Sequence, residues 1–306
     1  MNANDVGGNG AVTKRRDFVL WVLVDHANPS GDPLYDGRPR QDLYGFGYMT
    51  AECIRRKIRD RLQDMGRRIF VQQEKRADDG CRSLKERADK VVAGLSREDA
   101  LRAACAEWSD VRIFGQTFAF RGGADSASVS MSVTGPVSIQ DAYSVDPVII
   151  ESTQITKSVN GSEPKAGSGK DKGGEADVSD RMSSDRMGMR HRVRFGVYKI
   201  CGSINVQACG KTGMSEADAD DLKEALRTLF VNDASAGRPA GSMDVLGMYW
   251  ITHDSALGKY SARKVFDSVW AKFDRTVSSP YPSKLDDYTF GVDKLEGLDY
   301  EEVIRP

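Results

Sequence analysis

Arg55, Arg56, Lys57 and Arg59 crowd one short stretch of this chain, and Arg38 and Arg40 lie shortly before them. Ahead of these cations runs Asn28-Pro29-Ser30-Gly31-Asp32-Pro33, a segment made largely of turn formers. Guanidinium groups give charge-assisted, often bidentate bonds to phosphate, and a glycine lets loop amides come close to an anionic oxygen. The combination suits a phosphate-gripping surface. Ordinary solvated charge would look the same, and charge alone favours that reading. What weighs for a site is the order: apolar strand, glycine-bearing loop, basic segment. A second basic run, Asp185-Arg186-Met187-Gly188-Met189-Arg190-His191-Arg192, sets two methionines among four cationic side chains. Arginines there can hold phosphates while a methionine wedges against a base. Methionine is more often a core filler, but the flanking charge opposes burial of the whole run.

Other chemistry finds less support. Asp25, Asp32, Asp36 and Asp42 could together hold a divalent metal for phosphodiester cleavage, yet turn formation accounts for them better. The three histidines, His26, His191 and His253, include no pair spaced three or four apart, as metal ligation on a helix would need. Gly210-Lys211-Thr212 resembles the end of a phosphate-binding loop, but Asn205 occupies the position of its first glycine. Gly169-Lys170-Asp171 fails twice, with Pro164 at the first glycine and an aspartate where Ser or Thr belongs. There is no G-x-S-x-G segment. The five cysteines form no C-x-x-C pair and read as reduced, mostly buried thiols of a cytoplasmic protein. No metal, cofactor or catalytic residue is expected.

These candidate groups need elements to position them. Phe18–Asp25 is apolar on both faces and suits a central strand. After Thr50, a possible N-cap, Ile54, Ile58 and Leu62 fall four apart on one helical stripe, which would leave the basic residues on the exposed remainder. Residues 66–95 are charge-rich and predict a helical insertion. Ser96-x-x-Asp99 opens a helix through Leu101, Ala104 and Trp108, and Val111–Gly115 reads as a short strand. Alternation at Val129, Met131 and Val133, then Val145–Ile155 and the long Val193–Ala208, predict further strands. Residues 158–180 are glycine-rich and cannot bury a face; they read as a loop tip inside one domain. Ser215-x-x-Asp218 has capping-box form ahead of Leu222, Ala225, Leu226 and Leu229. Val245–Thr252 reads as a strand, and Val265, Phe266, Val269, Trp270 and Phe273 as a last helix. Without the insertions the order is β-α-β-β-α-β, an α+β, ferredoxin-like arrangement shared by RNA-recognition modules.

Composition bounds the rest. With 306 residues and 40% apolar content the chain can build a real core. Its net charge of −1 means that any nucleic-acid affinity comes from local clustering. The opening stretch Met1–Val12 is polar, so no secretory signal is expected, and no apolar run approaches a membrane span.

Six short segments, in order, resemble a known family. They are Asn28–Pro33, Thr50–Arg59, Asp110–Gly115, Gly135-Pro136-Val137, Met187–His191 leading into Gly196-Val197-Tyr198, and His253–Gly258. Together they look like the backbone subunit of type I-C CRISPR Cascade complexes, in the Cas7 family of the RAMP superfamily. Arg55 stands where a lysine is common, which keeps the charge. The resemblance implies one RRM-like domain over 1–306: a palm, a helical fingers insertion near 66–110, and a web and β-hairpin thumb near 116–192 with a flexible tip at 158–180. It implies a non-enzymatic subunit whose copies line up head-to-tail along a guide RNA (crRNA), grip its phosphates and present its bases to target DNA. The other Cascade subunits (guide-handle-binding, large and small) would be further partners. By the same resemblance Asn28 and Gly31 shape the RNA-binding loop, Arg38, Arg40, Arg55, Arg56 and Arg59 meet phosphates, Arg112 and Phe114 lie at the palm edge, and Met187, Arg190 and His191 sit at the thumb base. A rival reading is a RAMP-type endoribonuclease using Asp32 or Asp36. A generic single-strand binder is a third, though an aromatic stacking platform is not evident in the sequence.

Overall fold

The computed structural model describes residues 10–120, 129–157, 186–276 and 279–303. Its centre is β1 (Arg16–Ala27), whose unbroken run of Phe, Val, Leu and Trp is buried on both faces. A loop holding the two-residue strands β2 (Gly31–Asp32) and β3 (Arg38–Pro39) leads to β4 (Phe46–Met49) and helix α1 (Ala51–Asp64). The N-cap at Thr50 forms as its position predicts: its hydroxyl accepts the Cys53 N–H at 3.2 Å, and Asp141 accepts the Ala51 N–H at 2.7 Å. Helices α2 (Leu84–Val92), α3 (Arg97–Glu107) and α4 (Ser109–Phe114) follow, then the hairpin of β5 (Gly115–Phe120) and β6 (Val129–Thr134). Next come β7 (Val137–Ile139), β8 (Ala142–Pro147), β9 (Ile150–Lys157) and the long β10 (Arg186–Ile204). Helices α5 (Val206–Thr212) and α6 (Glu216–Arg227), strand β11 (Met243–Thr252), helix α7 (Ala262–Asp267) and strands β12 (Val269–Phe273), β13 (Tyr288–Val292) and β14 (Asp299–Val303) complete the fold.

The fold is mixed α+β around one antiparallel sheet. Its order is β14-β11-β1-β10-β8-β4, with β7 and β9 also paired to β10. Both edges of β1 are therefore satisfied, by β10 on one side and β11 on the other. Alternate residues of β1 feed two cores. Phe18, Leu20, Val22 and Val24 meet Ile54, Ile58 and Leu62 of α1 and Leu222 and Leu226 of α6. Val19 and Trp21 face the other way, toward Val265 and Phe266 of α7 and Phe273 of β12. A third cluster, including Phe70, Val92, Trp108, Phe118 and Met131, is formed by the segment between α1 and β6.

Several elements differ from their sequence reading. Val111–Gly115, expected as a strand, is the helix α4 and its exit residue. Val111 and Ile113 do alternate, but they serve two different cores, and a one-turn helix can do that as well as a strand. Gly115 then turns the chain at φ 76, and a Cβ there would lie 2.3 Å from the Val133 carbonyl oxygen. The expected last helix stops at Ser268, whose hydroxyl bonds the Val265 carbonyl and the Tyr300 hydroxyl. Val269–Phe273 instead pairs with β13. The segment read as one strand over Val145–Ile155 breaks at residues 148–149, where the Val148 N–H bonds the Gly45 carbonyl. Strand β10 begins earlier than expected and stops at Ile204, because the Asn205 side chain caps α5 through the Ala208 N–H. The capping box at Ser215 and Asp218 is present in both directions. The glycine-rich stretch 158–180 lies outside the described residues. Replacing Thr50 by Ala should cost about 1 kcal/mol, read as a lower midpoint in urea with an unchanged slope.

Candidate nucleic-acid interface

The cations of α1 are not an open face, as their spacing had suggested. Arg55 meets Glu52 at 2.5 Å, Arg56 meets Asp60 at 2.8 Å, Lys57 pairs with Asp233, and Arg59 donates to Asp110 at 2.8 Å. Lys57 is only 4% exposed and lies over the Phe230 ring. Arg56 also donates to the Val71 carbonyl at 2.5 Å. Burial lowers the pKa of both Arg56 and Lys57, against the pull of Asp60 and Asp233. Arg55 and Arg56 pair within α1 itself, whereas helix α4 and the turn after α6 close on the helix and bring Asp110 and Asp233 to Arg59 and Lys57, and the segment after α1 adds the Val71 carbonyl.

Asp110 is the hub of this packing. Only 1% exposed, it accepts the Phe70 N–H at 2.7 Å, the Val71 N–H at 3.1 Å and Arg59 Nε at 2.8 Å. Arg59 also lies 5.1 Å from the centre of the half-buried Phe114 ring. Arg112 is bound internally, 2.6 Å from Asp218 and 2.6 Å from the Cys105 carbonyl, and so ties α4 to α6. Burial pushes the Asp218 pKa up, but bonds from Arg112 and from the Ser215 amide and hydroxyl more than reverse this and leave it lowered.

The loop after β1 is built differently. Asn28 Nδ2 donates to the Gly37 carbonyl at 2.6 Å, and a Cβ on Gly31 would fall 2.9 Å from that same carbonyl oxygen, so the hairpin closes only around glycine. Asp32 accepts the Leu34 N–H at 3.0 Å and meets Arg40 at 3.0 Å. Asp36 turns the chain at φ 53. Both aspartates thus have turn roles, and among the described residues no group of three or more His, Cys, Asp or Glu side chains is placed to hold a metal. Arg38 is exposed. So are Leu34 (86%), Tyr35 (67%), Leu43 (100%) and Tyr44 (81%), which sequence reasoning missed. Four large apolar side chains amid loop-forming residues were the available signal.

This loop sits beside the root of the β9–β10 ribbon. Ala27 pairs with Val193, and Glu151 of β9 lies within ion-pair range of His26, Arg192 and Arg194. His191 bonds the Ser152 hydroxyl at 2.7 Å, while Met189 and Arg190 point into solvent. The backbone of Met187 pairs with Thr156; its side chain lies outside the described residues. The structure therefore brings Asn28, Gly31, Arg38 and Arg40 to the same end of the sheet as Arg190 and His191. Arg56, Arg59 and Arg112 face the segment between α1 and β6 or helix α6. The additional cations Arg192 and Arg194 belong to the first group by position.

A family model for CRISPR-associated protein Cas7 matches residues 14–293. The chain belongs to that family. It is similar to a CRISPR-associated protein Cas7 of Haloferax volcanii, 28% identical over 230 residues that cover 69% of this chain. The match spans 62% of that relative's length. Two solved structures are also similar. A chain titled as a CRISPR RNA-guided surveillance complex, pre-nicking, is 16% identical with a TM-score of 0.46, covering 82% of this chain and 81% of its own. Another, titled as a CRISPR RNA-guided surveillance complex, is 15% identical with a TM-score of 0.45, covering 83% and 74%.

Removing one partner of the Asp110 hub leaves buried donors unpaired, so Asp110→Ala should destabilise the fold by about 3–5 kcal/mol in chemical denaturation. The Asp218 carboxyl, lowered in the folded state, contributes stability above the ordinary carboxylate pKa of about 3.9 and loses it as pH falls through its folded value. Asp218→Asn should lower the melting temperature at neutral pH and flatten its decline on acidification.

Proposed function

We propose that this chain is a non-enzymatic, crRNA-binding backbone subunit of a type I-C Cascade surveillance complex. Membership of the Cas7 family over residues 14–293 is the observation that carries the proposal. In this reading β1, α1, β7, β10, α6 and β11 form a ferredoxin-like, RRM-like palm within a single domain, since β1 lies between β10 and β11 and β7 flanks β10. The segment near 66–110 is the fingers insertion, supported by its separate core around Phe70 and Trp108. Residues near 116–192, apart from β7, form the web and thumb, whose described parts are the β5–β6 hairpin, β8 and the β9–β10 ribbon.

Several copies line up head-to-tail on the guide, an open arrangement whose length the RNA sets. Base pairing with target DNA reads the sequence, so the protein needs only backbone contacts. Arg38 and Arg190 are exposed and meet phosphate directly. Arg40 and Arg55 support them: the Arg55–Glu52 pair is a surface i,i+3 contact worth about 0.3–0.5 kcal/mol, which a phosphate can displace. Asn28 and Gly31 hold the loop, His191 steadies the ribbon, and Met187 and Met189 act as wedges against bases. Arg56, Arg59, Arg112 and Phe114 act indirectly by fixing the fingers to the palm. The guide-handle-binding, large and small subunits complete the particle. We place it in the cytoplasm; no described helix is long and apolar enough to cross a membrane.

Co-expression with a repeat–spacer transcript should yield a large, uniform particle holding intact guide RNA. Its affinity should fall steeply with salt, and a joint Arg38→Glu, Arg190→Glu variant should retain at least about tenfold less RNA. Defined-end cleavage of the bound RNA, or no bound RNA, would contradict the proposal.

A further inference from the structure

Two turns after β1 push large apolar side chains into water, and the second stands at an edge of the main sheet. Asp42 holds that turn by accepting the Tyr44 N–H at 2.8 Å and the Phe46 N–H at 2.9 Å. Gln41 braces it, donating to the Gly45 carbonyl at 3.1 Å and to the Val148 carbonyl at 2.7 Å. The turn leads straight into β4, the last strand of the sheet on that side. Its tip is therefore built, yet Leu43 is 100% exposed and Tyr44 81%. Large apolar side chains held in water by a fixed backbone mark a contact surface.

A hollow of matching character lies on the other flank. It is a cavity of about 350 Å³ between the turn after α6 and the start of β11, walled by Phe230, Val231, Pro239, Ala240 and Met243. Pro239 and Ala240 are exposed, so the cavity opens to solvent, and Met243 is buried in the main core. Strand β8 runs the same way as β1, since both are antiparallel to β10. Pro147 at its end pairs with Phe46, and Val24 near the end of β1 pairs with Met243. Turn and cavity thus sit at the same end of the sheet. They are four strands apart in the order β11-β1-β10-β8-β4, or about 19 Å.

We propose that Leu43 and Tyr44 of one copy seat in this cavity of a second copy, against Pro239, Ala240 and Met243. An apolar protrusion on one flank and an apolar hollow on the other are the two halves of a heterologous contact. A shift across the strands, repeated, gives an open row that keeps the β2–β3 loop and ribbon root of every copy on one side. RNA is the poorer occupant for the tip. Leucine offers no ring face for a base to stack on, and the Asp42 carboxylate within the turn repels a phosphate. Two side chains bury far less than the roughly 800 Å² that each partner gives to a stable interface, so free chains associate weakly. A guide that holds neighbours close supplies the rest as effective concentration. The contact deepens the guide-backbone reading above and rests on it for the row it joins.

The test is cross-linking of the full chain, co-expressed with a repeat–spacer transcript, by a short bismaleimide. Tyr44→Cys, Ala240→Cys and the double variant are compared with the parent, whose own cysteines are buried except for the half-buried Cys53. The two positions are too far apart within one chain for a short reagent, so it joins them only between copies. The double variant should give a ladder of dimers and longer chains that neither single variant nor the parent gives, and the two single variants mixed should stop at dimers. Adding Leu43→Ser to the double variant should slow the ladder about tenfold. Retained RNA is sequenced from the same preparations. Retained guide with no ladder overturns the contact and leaves the guide-backbone reading standing. A ladder without guide keeps the contact and removes that reading, and loss of both removes both.

Discussion

The buried carboxylate of Asp110 holds the segment after α1 against the main sheet and its helix α1. It takes two backbone N–H groups from Phe70 and Val71, in the segment after α1, and the guanidinium of Arg59 from α1. A charge this deeply buried survives only where each oxygen is met by a donor, and here both are. Because α1 packs on β1 and α4 packs on both clusters, the same carboxylate fixes the orientation of the third core relative to the main sheet. Arg112 and Asp218 repeat the device between α4 and α6.

This use of charge divides the arginines into two populations. Arg56, Arg59 and Arg112 are spent on the frame, where paired and partly buried groups exchange poorly for an outside ligand, whereas Arg55 pairs only with the exposed Glu52. On the β2–β3 loop and the ribbon root, Arg38 and Arg190 are exposed, Arg40 meets Asp32, and Arg192 and Arg194 share Glu151. Glu151 lies near His26, Arg192 and Arg194 at once, and Asp25 also pairs with His26.

Local signals in the sequence were readable where the physics is local. The caps at Thr50, Ser96 and Ser215 lie one turn from the amides they satisfy, and each forms. The apolar run of β1 likewise requires burial on both sides. What sequence could not supply were long-range partners: Asp110 is 51 positions from Arg59, and Asp233 is 176 from Lys57. Without them Lys57 and Arg59 looked free, while the pairs of Arg55 with Glu52 and of Arg56 with Asp60, three and four positions away, were within reach of the sequence. The helix α4 was misread because alternation over a few residues fits a strand and a turn bridging two cores equally well.

We propose that nucleic acid is held by the loop after β1 and the ribbon root with Arg55 in support, while Arg56, Arg59 and Arg112 hold the frame. Hydrogen–deuterium exchange of the chain with and without bound guide RNA tests this directly. New protection at the amides of residues 28–40 and 188–194, with the amides of Phe70 and Val71 already slow and unchanged, is the expected result. Protection gained along α1 and the segment after it, with the loop and ribbon unaffected, would contradict the account.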